Sequence, residues 1–145
     1  MKIKFSTIIL LAMVLSGCAT IKDVPKGVAG ISTKVLEDKR SSAITKNFNC
    51  DYNTGYAKIK EILIRTGSYI YSGNKQKRMI AIYVSEADTT PVGIFFNENG
   101  QTLDIQVSSP STYAREYISS KIFASLEKSL KGIEEPVVEE SVKKE

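Results

Sequence analysis

The sequence contains no histidine and no tryptophan, and only two of its 145 residues are cysteine. Without histidine there is no Ser-His-Asp or Cys-His relay, no imidazole general base and no His-ligated zinc or iron. Two thiols are too few for a structural zinc site of the four-cysteine kind. These absences exclude much hydrolytic and metal chemistry, and they favour a protein that is not an enzyme.

The remaining composition is that of an ordinary globular chain. Hydrophobic residues make up 42% and charged residues 25% of the sequence, close to the averages of soluble domains. The length is that of one domain. The composition therefore excludes a chain that is disordered or fibrous throughout.

The N-terminal residues have the pattern of an export signal. Lys2 and Lys4 form a short positive region, and residues 5–15 form a mostly apolar run. A run of this length suits the core of a secretory signal peptide, because a helix that spans a bilayer needs ~20 residues. The pattern predicts export from the cytoplasm.

The apolar run ends in the motif Leu15-Ser16-Gly17-Cys18. This motif resembles the lipobox of bacterial lipoproteins, in which small residues precede an obligatory cysteine. The resemblance implies that the thiol of Cys18 carries diacylglycerol and that cleavage falls between Gly17 and Cys18. It also implies that the new amino group is acylated. Apart from this covalent lipid on Cys18, we expect no cofactor.

The residue after the predicted lipidation site is Ala19 and not aspartate. By resemblance to enterobacterial lipoproteins, this favours the periplasmic face of the outer membrane. The alternative is the outer leaflet of the inner membrane. Removal of residues 1–17 takes away two lysines and no acidic residue, so the formal charge falls from +4 to +2. An exported, anchored protein does not meet nucleic acid, so the expected partners are the membrane and an envelope protein.

Composition divides the chain into four parts. Residues 1–17 are the predicted signal peptide, and residues 18–42 are a lipidated N-terminus and tether, punctuated by Pro25, Gly27 and Gly30. Within that tether, helical spacing of apolar residues indicates a short helix near residues 31–40. Residues 43–131 are the predicted domain. Residues 132–145 are a charged tail without periodic apolar residues, which predicts disorder.

Apolar periodicity predicts seven elements in the domain. Ile44, Phe48 and Cys50 alternate with polar residues, which indicates a first strand at the sheet edge. A helix capped by Asn53 or Thr54 follows and ends at Gly67. The next four strands are expected at residues 68–72, 77–85, 92–97 and 101–108, with turns at Gly73-Asn74 and Asn99-Gly100. A longer helix begins near Ser109-Pro110-Ser111, where a serine can cap it, and ends at Gly132.

The order β-α-β-β-β-β-α predicts the α+β class. Two amphipathic helices with one apolar stripe each would cover one face of an antiparallel sheet of about five strands, which gives a two-layer sandwich. This order is similar to the helix-grip domains of outer-membrane lipoproteins such as the BamC component of the β-barrel assembly machine. The similarity spans residues 43–131 and depends on element order, so it implies an architecture and no functional residue.

Strand alternation identifies a candidate interaction surface. If Ile80, Ile82 and Val84 face the helices, the residues between them face the other side of the sheet. That outer face would then hold four aromatic side chains: Tyr69, Tyr71, Tyr83 and Phe95. An exposed patch of this kind predicts a docking surface for a protein or a glycan. The alternatives are that the tether helix or loops cover this face, or that Tyr69 and Tyr71 belong to the core.

These observations predict a non-catalytic scaffold or accessory protein of the cell envelope. The alternative is a carrier for a small apolar ligand, which would need a cavity between Phe96, Ile105 and Ile122. Cys50 is expected to be a buried core residue; the alternatives are an intermolecular disulfide or a reactive nucleophile, for which the sequence offers no histidine as a base. The basic tip that includes Lys75 is either solvated or in contact with anionic head groups.

Overall fold

The structure is a computed structural model that describes residues 32–132. The predicted Gly17–Cys18 processing site, the signal peptide and residues 133–145 of the tail lie outside these residues. The elements, in chain order, are α1 (Lys34–Asp38), a 3₁₀ helix (Lys39–Ser42), β1 (Ile44–Phe48), α2 (Tyr52–Arg65), β2 (Tyr69–Asn74), β3 (Met79–Tyr83), β4 (Pro91–Asn99), β5 (Thr102–Ser108) and α3 (Thr112–Leu130). The predicted α+β class and the order from β1 to α3 are confirmed.

The five strands form one antiparallel sheet with the order β1-β5-β4-β3-β2. Strands β2 to β5 follow one another as hairpins, and β1 returns to pair with the last strand, with Ile44 opposite Val107. The edges of the sheet are therefore β1, as predicted, and β2. Strand β4 lies in the middle, and residues 92–96 on it are buried.

Helices α2 and α3 cover one face of this sheet, as the apolar stripes predicted. Every fourth residue of α3 is buried at Ala114, Ile118, Ile122 and Leu126, and α2 buries Ile59, Ile62 and Leu63. The core between helices and sheet is one continuous cluster, which includes Phe48, Ile80, Ile82, Ile94, Phe96, Leu103, Ile105 and Val107 from the strands.

Local capping fixes where both helices begin. The carboxylate of Asp51 accepts hydrogen bonds from the backbone nitrogen of Thr54 at 3.0 Å and from its hydroxyl at 2.6 Å. Asp51 is therefore the N-cap of α2, and the predicted caps Asn53 and Thr54 were wrong by two or three positions. Ser111 caps α3 by accepting from the backbone nitrogen of Ala114, and it is one of the two serines, Ser109 and Ser111, between which the sequence left the cap open.

The hairpin turns lie further along the chain than the glycine and asparagine signals predicted. Gly73 and Asn74 pair with Ile80 and Met79 inside the β2–β3 ladder, so the turn is made by residues 75–78. Arg78 takes the left-handed conformation there, with φ of 50°. In the β4–β5 hairpin Asn99 pairs with Thr102, which leaves Gly100 and Gln101 as the two loop residues.

The short helix α1 packs on the opposite face of the sheet and lies within residues 31–40, where a short helix was indicated; it is a third α-helix beside the two predicted for the domain. Leu36 is fully buried there, and its carbonyl oxygen accepts a hydrogen bond from the hydroxyl of Ser108 at 2.8 Å. Gly93 lies directly beneath it, because an added Cβ would lie 3.0 Å from the Cβ of Leu36. The described part of the predicted tether is thus folded against the sheet. No helix within residues 32–132 is long and apolar enough to span a membrane.

Candidate interaction surface

The two faces of β3 separate as the alternation predicted. Ile80 and Ile82 belong to the core beneath α2 and α3, and Val84 packs against the same core. Met79 and Ala81 belong to a second buried cluster on the opposite face. The outer face therefore exists where it was predicted.

Three tyrosines form a stack on this outer face. The ring of Tyr83 lies 4.5 Å from the ring of Tyr71 and 6.0 Å from the ring of Tyr69, with angles of 29° and 12° between the ring planes. Tyr69 stands directly opposite Tyr83 in the β2–β3 ladder, and Tyr71, two residues further along β2, shares its side by strand alternation and lies at the β-bulge between Ile70 and Ser72. Tyr69 is 48% exposed and the other two rings are half-buried. We refer to these three residues as the tyrosine stack.

Phe95 lies on the predicted face but is not part of an exposed surface. Phe95 is only 3% exposed, because Leu36 of α1 lies over it and Met79 and Ala81 of β3 pack beside it. The guanidinium of Arg40 lies 4.5 Å above the ring, in a cation–π contact. The prediction of Phe95 as an interaction residue is therefore corrected: α1 removes it from solvent, as the covered-face alternative anticipated.

Polar contacts on both sides hold α1 and the 3₁₀ helix over Phe95. Arg40 donates from Nη2 and Nε to Oε1 of Gln106, at 2.7 and 3.0 Å, and from Nη2 to Oδ1 of Asn97 at 3.3 Å. On the other side, Glu37 pairs with Lys77 at 3.2 Å, and this ammonium group lowers the pKa of the Glu37 carboxyl. Glu37 belongs to α1 and Arg40 to the 3₁₀ helix. Because their contacts reach β4, β5 and the β2–β3 turn, the two helices are fixed over the centre of the face and leave the tyrosine stack beside them.

The hydroxyl of Tyr71 is buried and has no hydrogen-bond partner within the described residues. Burial raises the pKa of Tyr71, and the neighbouring Tyr83 raises it further. A buried hydroxyl without a partner costs about 1–3 kcal/mol. Ring packing against Tyr83 and the second cluster is therefore what holds Tyr71 in this position.

Cys50, the other candidate reactive group, has a structural role. Cys50 lies just after β1, half-buried against the core, and burial raises its pKa, with a further contribution from Asp51. Its thiol is therefore protonated at neutral pH and a poor nucleophile. Within residues 32–132, no three cysteine or acidic side chains come together as a metal site would require.

The basic hairpin tip is partly neutralised by neighbouring groups. Besides the pair of Lys77 with Glu37, Arg78 pairs with Glu98 at 2.7 Å and lies over the ring of Tyr52. Lys75 makes only a distant contact, with its ammonium 5.8 Å from the ring centre of Tyr56. The tip is therefore not a cluster of three free cations.

Sequence reasoning missed the covering role of Leu36 and Arg40, which it assigned to the tether. Helix α1 has only five residues, of which Leu36 is buried and Val35 is exposed, and Arg40 follows it in the 3₁₀ helix. The spacing of apolar residues indicated a helix here, but so short a stripe does not show against which surface the helix packs. No protein-family model matches this chain, and no curated protein matches it, so the assignment of this surface depends on its own residues.

Proposed function

We propose that this protein is a lipid-anchored lipoprotein of the bacterial envelope that acts as a non-catalytic scaffold or accessory protein. Its anchor is the acylated Cys18, and its place is the periplasmic face of the outer membrane, with the inner membrane's outer leaflet as the alternative. The order of positive region, apolar run and Leu15-Ser16-Gly17-Cys18 supports the anchor. Two or three acyl chains hold a protein firmly, since each buried CH₂ contributes ~0.8 kcal/mol.

The tyrosine stack is the observation that carries the interaction role. Helix α1 covers Met79, Ala81 and Phe95 on the same face but leaves Tyr69 48% exposed at its side. Tyrosine offers a large, rigid contact area with a hydroxyl at its tip, which is why it is enriched in interface cores. Stacking on Tyr83 holds the exposed ring of Tyr69 in one orientation, so little side-chain entropy is lost when a partner binds.

A partner would contact the stack through side chains and not by adding a strand. Strand β2 is an edge, but the bulge between Ile70 and Ser72 breaks the regular row of backbone donors and acceptors. Bulges of this kind protect sheet edges from pairing with other chains. The contact we propose is therefore with an envelope protein that presents an apolar or aromatic side chain to the face of Tyr69.

The packing of the core bears on the alternative, a carrier for a small apolar ligand. The carrier needs a cavity between Phe96, Ile105 and Ile122, and each of these residues is at most 1% exposed within one core cluster. This continuity favours the interaction role over a carrier with its ligand at that point.

The lipid anchor gives the first testable prediction. In the native bacterium the mature protein should begin at Cys18 and carry acyl mass, whereas Cys18→Ala should accumulate as an unacylated, uncleaved precursor. The reason is that only a thiol can form the thioether that precedes cleavage. Intact-mass spectrometry checks this, with Cys50→Ala as the matched control that keeps its lipid. A wild-type protein without acyl mass would contradict the anchor, and density-gradient separation of the membranes distinguishes the outer from the inner membrane.

The second prediction concerns Tyr69. With a photoreactive phenylalanine analogue at position 69 of the anchored protein, illumination should give one adduct of defined mass with an envelope protein. Tyr83→Ser should reduce this adduct by about tenfold, because it removes the ring that orients residue 69; ring pairs contribute ~0.5–1.5 kcal/mol beyond their area. Mass spectrometry of the adduct identifies the partner.

The chain offers a matched control for that experiment. Tyr113 is 70% exposed on α3, on the other side of the molecule, and it is stacked on Tyr117 much as Tyr69 is stacked on Tyr83. The same analogue at position 113 should give no such adduct. If both positions give the same adduct, or if position 69 labels only lipid, the proposal that the tyrosine stack binds an envelope protein is contradicted.

A further inference from the structure

A groove runs between α2 and the edge strand β2, on the helix-covered side of the sheet. Its narrower section has a volume of about 480 Å³ and is lined by Tyr56, Lys60, Ile70, Gly73, Lys75 and Ile80. Its wider section continues toward the C-terminal end of α2, and the two sections share Lys60 and Ile70. Because Tyr56, Lys60 and Ile64 recur every four residues, one stripe of α2 forms a wall of the whole groove.

The narrower section is positively charged. Lys60 and Lys75 line it, and no carboxylate does. Neither ammonium group makes an ion pair or hydrogen bond with another residue in the range 32–132, in contrast to Lys77 and Arg78 on the same hairpin. Two unpaired cations that face one concave space attract an anion and not a second cation.

The hydroxyl of Tyr56 adds a neutral donor at the same place. Burial raises the pKa of Tyr56, so the hydroxyl keeps its proton at neutral pH. The ring is held from behind by Phe96, with 5.3 Å between the ring centres. Gly73 leaves room for this hydroxyl, because a Cβ at residue 73 would lie 3.0 Å from it and would meet no other atom within 4 Å. A glycine inside a strand marks a point of close approach.

Isoleucine side chains line both sections of the groove. Ile80 forms a buried floor and Ile70 is half-buried, while Ile64 in the wider section is 63% exposed. Glu86 is the one acidic side chain of the wider section, at the end far from Lys75. Lys75 lines only the narrower section and Ile64 only the wider one, so the groove leads from a pair of cations to an exposed apolar side chain.

We propose that this groove binds a small amphiphilic carboxylate of the fatty-acid class. The carboxylate lies between Lys60 and Lys75 and accepts a hydrogen bond from Tyr56, and the alkyl chain follows Ile70 toward Ile64. Charge complementarity selects the head group, and the exposed apolar wall selects the chain. Tyr69 of the tyrosine stack also lines the wider section, but none of the three stack residues lines the narrower section that would hold the carboxylate. The inference goes beyond the proposed function, and variants of Lys60 and Lys75 test it without changing the stack.

The test uses the full acylated protein in nanodiscs of phosphatidylcholine and a decanoic acid that carries a diazirine. Labelling should be saturable and should map to peptides that contain residues 56–80. The double variant Lys60→Gln/Lys75→Gln should lower the apparent affinity by at least about tenfold, because it removes both charge-assisted contacts. Lys121→Gln is the matched control, since Lys121 is exposed on α3 and should leave labelling unchanged.

Competition distinguishes the chemistry of the ligand. Unlabelled decanoate should compete, whereas decanol, which lacks the charge, should compete at least about tenfold more weakly. Equal competition by decanol, unsaturable labelling, or equal labelling of the double variant would overturn the proposal. Loss of labelling when phosphatidylglycerol replaces phosphatidylcholine would assign the groove to a bilayer lipid and overturn the assignment to a free fatty acid.

Discussion

Replacing Leu36 with alanine should lower the free energy of unfolding of the domain by about 2–5 kcal/mol, although Leu36 precedes the first strand of the sheet. The side chain is fully buried on the outer face, against Met79, Ala81 and Phe95. Its removal leaves a cavity that the short helix α1 can fill only by moving. Urea denaturation followed by circular dichroism measures the loss.

Val35 provides the matched control for this prediction. It is the neighbouring residue of the same helix but is 44% exposed, so Val35→Ala should change the free energy of unfolding by less than about 0.5 kcal/mol. If Leu36→Ala and Val35→Ala have the same small effect, α1 does not cover the sheet in solution. The outer face would then be open, and Phe95 would return as a candidate interaction residue.

The dependence of the outer face on α1 shows what the sequence could and could not predict. Period-2 alternation assigned Ile80 and Ile82 to one face and Met79 and Ala81 to the other, because a strand has only two sides. Whether a face is exposed is a different question, since it depends on segments that are distant in sequence. Phe95 was placed on the correct face, but Leu36 and Arg40 cover it from the segment that precedes the first strand.

Local signals were less exact where two residues compete for one role. Asn53 and Thr54 are good helix caps, but Asp51 accepts two hydrogen bonds from Thr54 and so begins the helix earlier. Gly73-Asn74 is a good turn signal, but the β2–β3 ladder extends through both residues. Pairing across the sheet therefore decided the position of the turn, and it forced Arg78 to a φ of 50°.

The groove could not be predicted from single elements because its cations come from different ones. Lys60 is an exposed residue of α2, and Lys75 belongs to a hairpin tip that was expected to be solvated or to contact anionic head groups. Only the packing of α2 beside β2 brings them to one cavity. A sequence-level signal existed in the spacing of Tyr56, Lys60 and Ile64, which places two polar tips and one apolar residue on one stripe.

Replacing Phe96 with alanine should cost about 3–5 kcal/mol of unfolding free energy, the largest effect that we expect of a single truncation in this domain. Phe96 is 1% exposed in the central strand β4, and its ring packs against Tyr52 at 5.9 Å and Tyr56 at 5.3 Å. The change removes these ring contacts and leaves a cavity beneath α2. Domains are stable by only about 5–15 kcal/mol, so the urea midpoint should fall steeply.

The size of that loss also discriminates between the two functions considered for this fold. In a continuous core the truncation creates a new cavity, whereas beside a ligand cavity that already exists it enlarges a space that water or ligand fills. A cost well below about 2 kcal/mol would therefore contradict the packed core and favour a carrier with its ligand between Phe96, Ile105 and Ile122. Phe96→Leu is the matched control: it keeps most of the volume and should cost less than about 1.5 kcal/mol, because the core tolerates a change of shape better than a loss of volume.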